Sequence, residues 1–68
     1  MRLQKFHDLI AAEFGGAHGG FIVTSHVLAS LGDTPANLLD KGVDPREIWI
    51  ELCKDFDVPK ERWLGPDE

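Results

Sequence analysis

The chain has a single cysteine, no tyrosine and no apolar run approaching the ~20 residues needed to cross a bilayer. Cys53 has no second cysteine to pair with, so the disulfide staple of small secreted domains is excluded and a reducing compartment is indicated. The start, MRLQKFHDL, goes straight into an amphipathic pattern without an apolar core of signal-peptide length, so the expectation is a cytoplasmic protein with no membrane contact. Basic residues are also few: Lys and Arg total 7 against 12 Asp and Glu, a net charge of −5. The excess lies entirely within residues 33–68, an acidic half that repels phosphate and favours basic partners. No alternating strand pattern, repeat or low-complexity tract is present. At 68 residues the chain makes one domain. Such a domain buries only about 60% of its unfolded surface and reaches a stability of ~3–5 kcal/mol, with no room for a deep enclosed active site.

What is there reads as helices. Leu3, Phe6, Ile10 and Phe14 fall within an arc of roughly 80° on a helical wheel, which predicts a helix over about 2–14 ended by Gly15 and Gly16. Phe21, Val23, Val27, Leu28 and Leu31 share a broad face, with Ile22 and Ala29 opposite. That pattern predicts a central helix over about 18–31, its start blurred by Gly19 and Gly20 and its end at Gly32. Thr34 as cap, Pro35 as first helical residue and Gly42 as stop outline a short helix over 35–41, with Leu38 and Leu39 as its buried contacts. In GVDPREIWIELCKDFDVPKERW, Asp44 is the N-cap and Pro45 suits the first position. Glu47 completes a capping box by reaching back to the Asp44 N–H. The helix over 45–56 turns Ile48, Trp49, Leu52, Cys53 and Phe56 inward across about 140°. Pro59 opens a last turn, and Trp63 with Leu64 folds back as a latch. The expected fold is an all-α orthogonal bundle of four helices with a short C-terminal helical turn, residues 1–64 forming the domain and 65–68 a polar tail.

Met1-Arg2-Leu3 with Phe6, His26-Val27 before Leu31-Gly32, and Gly42-Val43-Asp44-Pro45 followed by Trp49, Leu52-Cys53 and Asp57-Val58-Pro59 together resemble domain-of-unknown-function family 3046. These are small proteins of high-GC Gram-positive bacteria. The glycine-rich GGAHGG at 15–20 departs from the more alanine-rich stretch expected of relatives. The resemblance implies a compact cytoplasmic helical protein of no established activity. In this family the gene tends to sit near those of the DNA-repair recombinase and its regulator.

Three chemistries are weighed and set aside on the sequence. A helix-turn-helix overlay puts the turn at Asp57-Val58 and the recognition helix after Pro59, but that helix is stopped by Gly65-Pro66 and brings only Lys60 and Arg62 to phosphate. His7, His18, His26 and Cys53 lack metal-ligand spacing, so no metal and no cofactor are expected. Ser25 and His26 diverge by about 100° on a helix, and GGAHGG lacks the ending and the preceding strand of a phosphate loop, so no enzyme is expected.

Glu47, Glu51 and Asp55 are more informative, because their i, i+4, i+8 spacing stacks like charges on one helix face at a cost of ~0.2–0.5 kcal/mol per pair. Ile50 lies beside them at about 200° from Ile48, outside the core arc. The plain interpretation is a solvated face with Ile50 covered by Trp63. The sharper one is a protein-docking surface with Ile50 and Trp63 as anchors and the acids steering a partner with a basic surface. The expectation is a non-enzymatic protein-interaction or regulatory module, monomeric, with a possible link to DNA repair or recombination through the family. A helix-turn-helix-like nucleic-acid binder is the alternative.

Overall fold

Thr34 and Asp44 each place a side-chain oxygen just ahead of a proline, and each starts a helix. The Thr34 hydroxyl accepts the Asn37 N–H at 3.3 Å, and the Asp44 carboxylate accepts the Arg46 N–H at 2.9 Å. The computed structural model describes residues 1–64. It consists of α1 (Leu3–Phe14), α2 (Gly16–Ser25), α3 (Pro35–Asp40) and α4 (Pro45–Asp55), followed by a 3-10 turn at Lys60–Arg62. α1 packs on α2 and α4, and α3 packs on the same two helices, so the four close into a ring. Phe6, Leu9, Ile10, Ile22, Leu28, Leu38, Ile48, Trp49, Leu52, Cys53 and Val58 fill its centre. The polar tail expected at 65–68 lies outside the described residues.

α3 and α4 end alike. After α3, the Val43 N–H donates to the Leu38 carbonyl at 3.0 Å and the Gly42 N–H to the Leu39 carbonyl at 3.0 Å, with Gly42 at φ +89°. After α4, Val58 N–H donates to Cys53 at 2.9 Å and Asp57 N–H to Lys54 at 3.3 Å, with Asp57 at φ +54°. Both are Schellman caps, which satisfy the orphan carbonyls and turn the following valine toward the core. The second uses aspartate in the left-handed position that glycine fills in the first.

Four expectations are corrected. Helix two does not reach residue 31: it ends at Ser25, with His26 extended. The cause is long-range. Leu28 turns inward to full burial, and carboxylates of α4 hold the loop that carries it. The inward face of α2 is also reversed, with Ile22 2% exposed and Phe21 65% exposed. Gly19 explains this: a Cβ there would stand 2.6 Å from the Ile10 side chain, so only glycine lets α2 press this closely on α1, and that contact brings Ile22 in and turns Phe21 out. In α1, Leu9 is buried in place of Leu3, which is exposed. The stripe on α1 is therefore rotated toward α4. Finally, the capping box is half formed, since Asp44 caps through Arg46 and the return bond from the Glu47 carboxylate is absent among the described residues.

Candidate protein-interaction surface

α4 carries the candidate surface because its two sides do different work. Ile48, Trp49, Leu52 and Cys53 are buried, and burial, aided by the charge of Glu13, pushes the Cys53 thiol up to about 12. That cysteine packs as a small hydrophobe and is not a nucleophile. Ile50, outside this arc, is half-buried and lines a groove of about 190 Å³ with Leu9, Trp49, Trp63, Lys5 and Arg46. The exposed side chains of Met1 and Leu64 edge the same groove. The structure thus brings Ile50 and Trp63 together.

Trp63 reaches this position through two hydrogen bonds. Its indole N–H donates to the Val58 carbonyl at 2.7 Å, and its own carbonyl accepts the Trp49 indole N–H at 2.7 Å. Both tryptophans therefore have their polar handle satisfied while their rings form groove wall. Arg62 fastens the turn from outside through a two-pronged ion pair with Glu13, at 3.2 and 3.0 Å.

The three stacked acids have separate roles. Glu51 accepts the Ser30 hydroxyl at 2.6 Å and the Lys54 ammonium at 3.4 Å. Asp55 accepts His26 Nε2 at 2.9 Å, which requires the ring proton on that nitrogen, and the Ala29 N–H at 3.1 Å. Both carboxylates thus staple the loop after α2. Glu47 is exposed, and its carboxylate has no partner among the described residues. Together with Asp44, Arg46, Ile50 and Glu51 it lines a second hollow of about 240 Å³. Of the sequence-chosen residues, Ile50, Trp63 and Glu47 face outward at the grooves, whereas Glu51 and Asp55 act mainly within the fold. Arg46, Lys5 and Leu9 were missed. Arg46 was legible in principle, since it sits at i−4 from Ile50 on the helix.

These contacts make acid the condition that loosens the loop. The Ser30 hydroxyl, with help from Lys54, holds Glu51 below its ordinary value, and His26 followed by the Ala29 N–H does the same for Asp55. At the far end of the loop Asp33 is lowered to about 2 by Lys41, Asn37 and the Thr34 N–H, at 2.7, 2.9 and 2.7 Å. A carboxylate depressed in the folded state adds stability above its unfolded value, and that contribution vanishes as pH falls through the folded value. Chemical denaturation is therefore expected to give a flat stability above the ordinary carboxylate values, 3.8 for Asp and 4.5 for Glu, and a decline continuing toward about 2. Asp33→Asn should flatten the lowest part of that decline. A stability independent of pH across this window would contradict the assignment.

The helix-turn-helix overlay meets a second element of one 3-10 turn, Lys60–Arg62, in which Arg62 is already engaged by Glu13. Among the described residues no cluster of three or more His, Cys, Asp or Glu is placed to hold a metal ion, and no helix is long and apolar enough to cross a membrane.

Comparison with known proteins places the chain in a family. The family model described as protein of unknown function (DUF3046) matches residues 1–61, and the chain belongs to that family. No curated protein and no solved structure matched the chain.

Proposed function

We propose that this member of the family works as a non-enzymatic protein-interaction module, cytoplasmic and monomeric, with the outward side of α4 and the Trp63 latch as its working surface. The observation that carries the reading is the groove shared by Ile50 and Trp63, apolar side chains set on a rigid helix and a doubly hydrogen-bonded turn. Aromatic and aliphatic anchors in such a groove are the usual energetic centre of an interface. The acids of α4 favour a partner with a basic surface. Glu51 and Asp55, held ionised by their internal bonds, contribute field, and Glu47 is available for direct contact. The gene neighbourhood implied by the family makes a DNA-repair or recombination protein the partner class to test.

The test is affinity capture from native cell extract at low salt with wild type, Glu47→Lys and Ile50→Lys, followed by mass spectrometry and direct titration of each captured protein with purified components. A partner bound by wild type and lost or weakened by both variants supports the reading. Equal binding by all three forms refutes this surface. Reversing Glu51 or Asp55 as well would confound the comparison, because it would release the loop after α2.

A further inference from the structure

The packed core ends before the chain does. Val58 is its last residue along the sequence, and α4 is already capped there by the Asp57 and Val58 N–H bonds. Beyond it Lys60, Glu61 and Arg62 are exposed, Trp63 is half-buried and Leu64 is 74% exposed. Besides the half-buried face of Trp63, what joins this turn to the helices among the described residues is polar and sits at its far end. The Trp49 indole N–H donates to the Trp63 carbonyl, and Arg62 donates twice to Glu13 at the end of α1. At the near end Pro59 is extended, with ψ 141°, and the Trp63 indole bonds back to the Val58 carbonyl beside it. Trp49 has a second support, since its ring packs edge-on to Phe14 within the helices.

We propose that residues 59–64 form a strap that swings open about Val58-Pro59 while the four helices stay packed, with the Glu13–Arg62 pair as the clasp that holds it shut. Opening breaks the clasp and the Trp49–Trp63 bond but takes no residue from the centre of the ring, so it exposes far less surface than unfolding does. Exposed ion pairs and single hydrogen bonds each add little net stability, which sets the closed strap below the ring in stability. The groove changes with it, because Trp63 is one of its walls and leaves with the strap. Glu13 lies outside that lining, yet through Arg62 it governs whether the wall is in place, so it is a positioning residue. The device belongs to the fold itself and stands apart from the interaction reading above, which gives it a use. A ligand that grips both Ile50 and Trp63 also holds the strap shut.

Hydrogen exchange of the Trp49 indole N–H, followed by NMR in the whole chain over a series of low urea concentrations, reports the strap. The amides of Leu52 and Cys53, in the buried centre of α4, report global opening. The indole is expected to exchange through an opening about tenfold or more frequent than the global one and nearly indifferent to urea, whereas the two amides respond steeply. Arg62→Ala weakens the closed state alone, so it should speed the indole and the amides by the same factor, about two- to fivefold. Asp33→Asn removes the ion pair with Lys41, which is present with the strap open or shut, so it should speed the amides and leave the indole unchanged. An indole that shares the urea dependence of the amides overturns the strap. So does one unmoved by Arg62→Ala, or accelerated by Asp33→Asn as much as the amides are. Each of these outcomes leaves the interaction reading standing, because none of them measures a partner.

Discussion

Replacing Trp49 with alanine is expected to lower the unfolding free energy by about 3–5 kcal/mol, as much as a domain of this size possesses, so the variant should be largely unfolded at room temperature. The indole is 2% exposed and packs edge-on to Phe14 at 6.4 Å between centroids. It also supplies the hydrogen bond that holds the Trp63 carbonyl. Loss of the side chain therefore opens a large cavity and releases the latch together. Trp49→Phe separates these effects. Most of the apolar area stays, one buried hydrogen bond goes, and about 1 kcal/mol is the expected cost. Trp63→Ala should fall well short of Trp49→Ala, because Trp63 is only half-buried. Urea melts followed by far-ultraviolet circular dichroism measure all three, and equal losses at the two tryptophans would contradict the latch.

Asp55→Ala is the next largest. One carboxylate oxygen holds both the His26 ring and the Ala29 N–H, joining the end of α2 and the start of its loop to the last turn of α4. Bonds to a charged group contribute more than neutral ones, but solvent screening discounts them here, and about 1–2 kcal/mol is expected. For a domain of this length that lowers Tm by about 4–8 °C per kcal/mol. The local signature is sharper. The Ala29 amide should lose hydrogen-exchange protection while amides of α1 keep theirs relative to global opening. Unchanged exchange at Ala29 would show that the carboxylate does not hold the loop.

Much of the fold was legible because its signals are local. Proline after a capping oxygen marked the starts of α3 and α4, and a 3.6-residue apolar repeat marked α1. What failed was set by distant residues. A run of apolar side chains after Phe21 looks like continued helix, yet α4 offers carboxylates to a loop at 26–30 that leaves the helix at His26 and turns at Ala29 and Ser30, and no local pattern reports that offer. The face of α2 was misassigned for a related reason, since Gly19 scores as a helix weakness locally but is the point of closest approach to Ile10 in the fold. At the candidate surface, the wheel positioned Ile50 correctly outside the core, and the acids were found. Which acids are occupied depended on Ser30 and His26, more than twenty residues away.

The sealed thiol of Cys53 has a consequence for the life of the protein under oxidative stress. With full burial and a thiol pushed to about 12, the folded chain presents almost no thiolate, so oxidants have nothing to attack while the ring of helices is closed. Only the opened chain exposes sulfur. At a stability of ~3–5 kcal/mol that opened fraction is about 10⁻² to 10⁻⁴, continually replenished from the folded pool. Any modification added to the sulfur during an opening must then be accommodated in a space packed for a bare thiol, or the helices cannot close again. Oxidation would therefore act as a ratchet on abundance, removing molecules in proportion to how often they open and leaving the closed ones untouched.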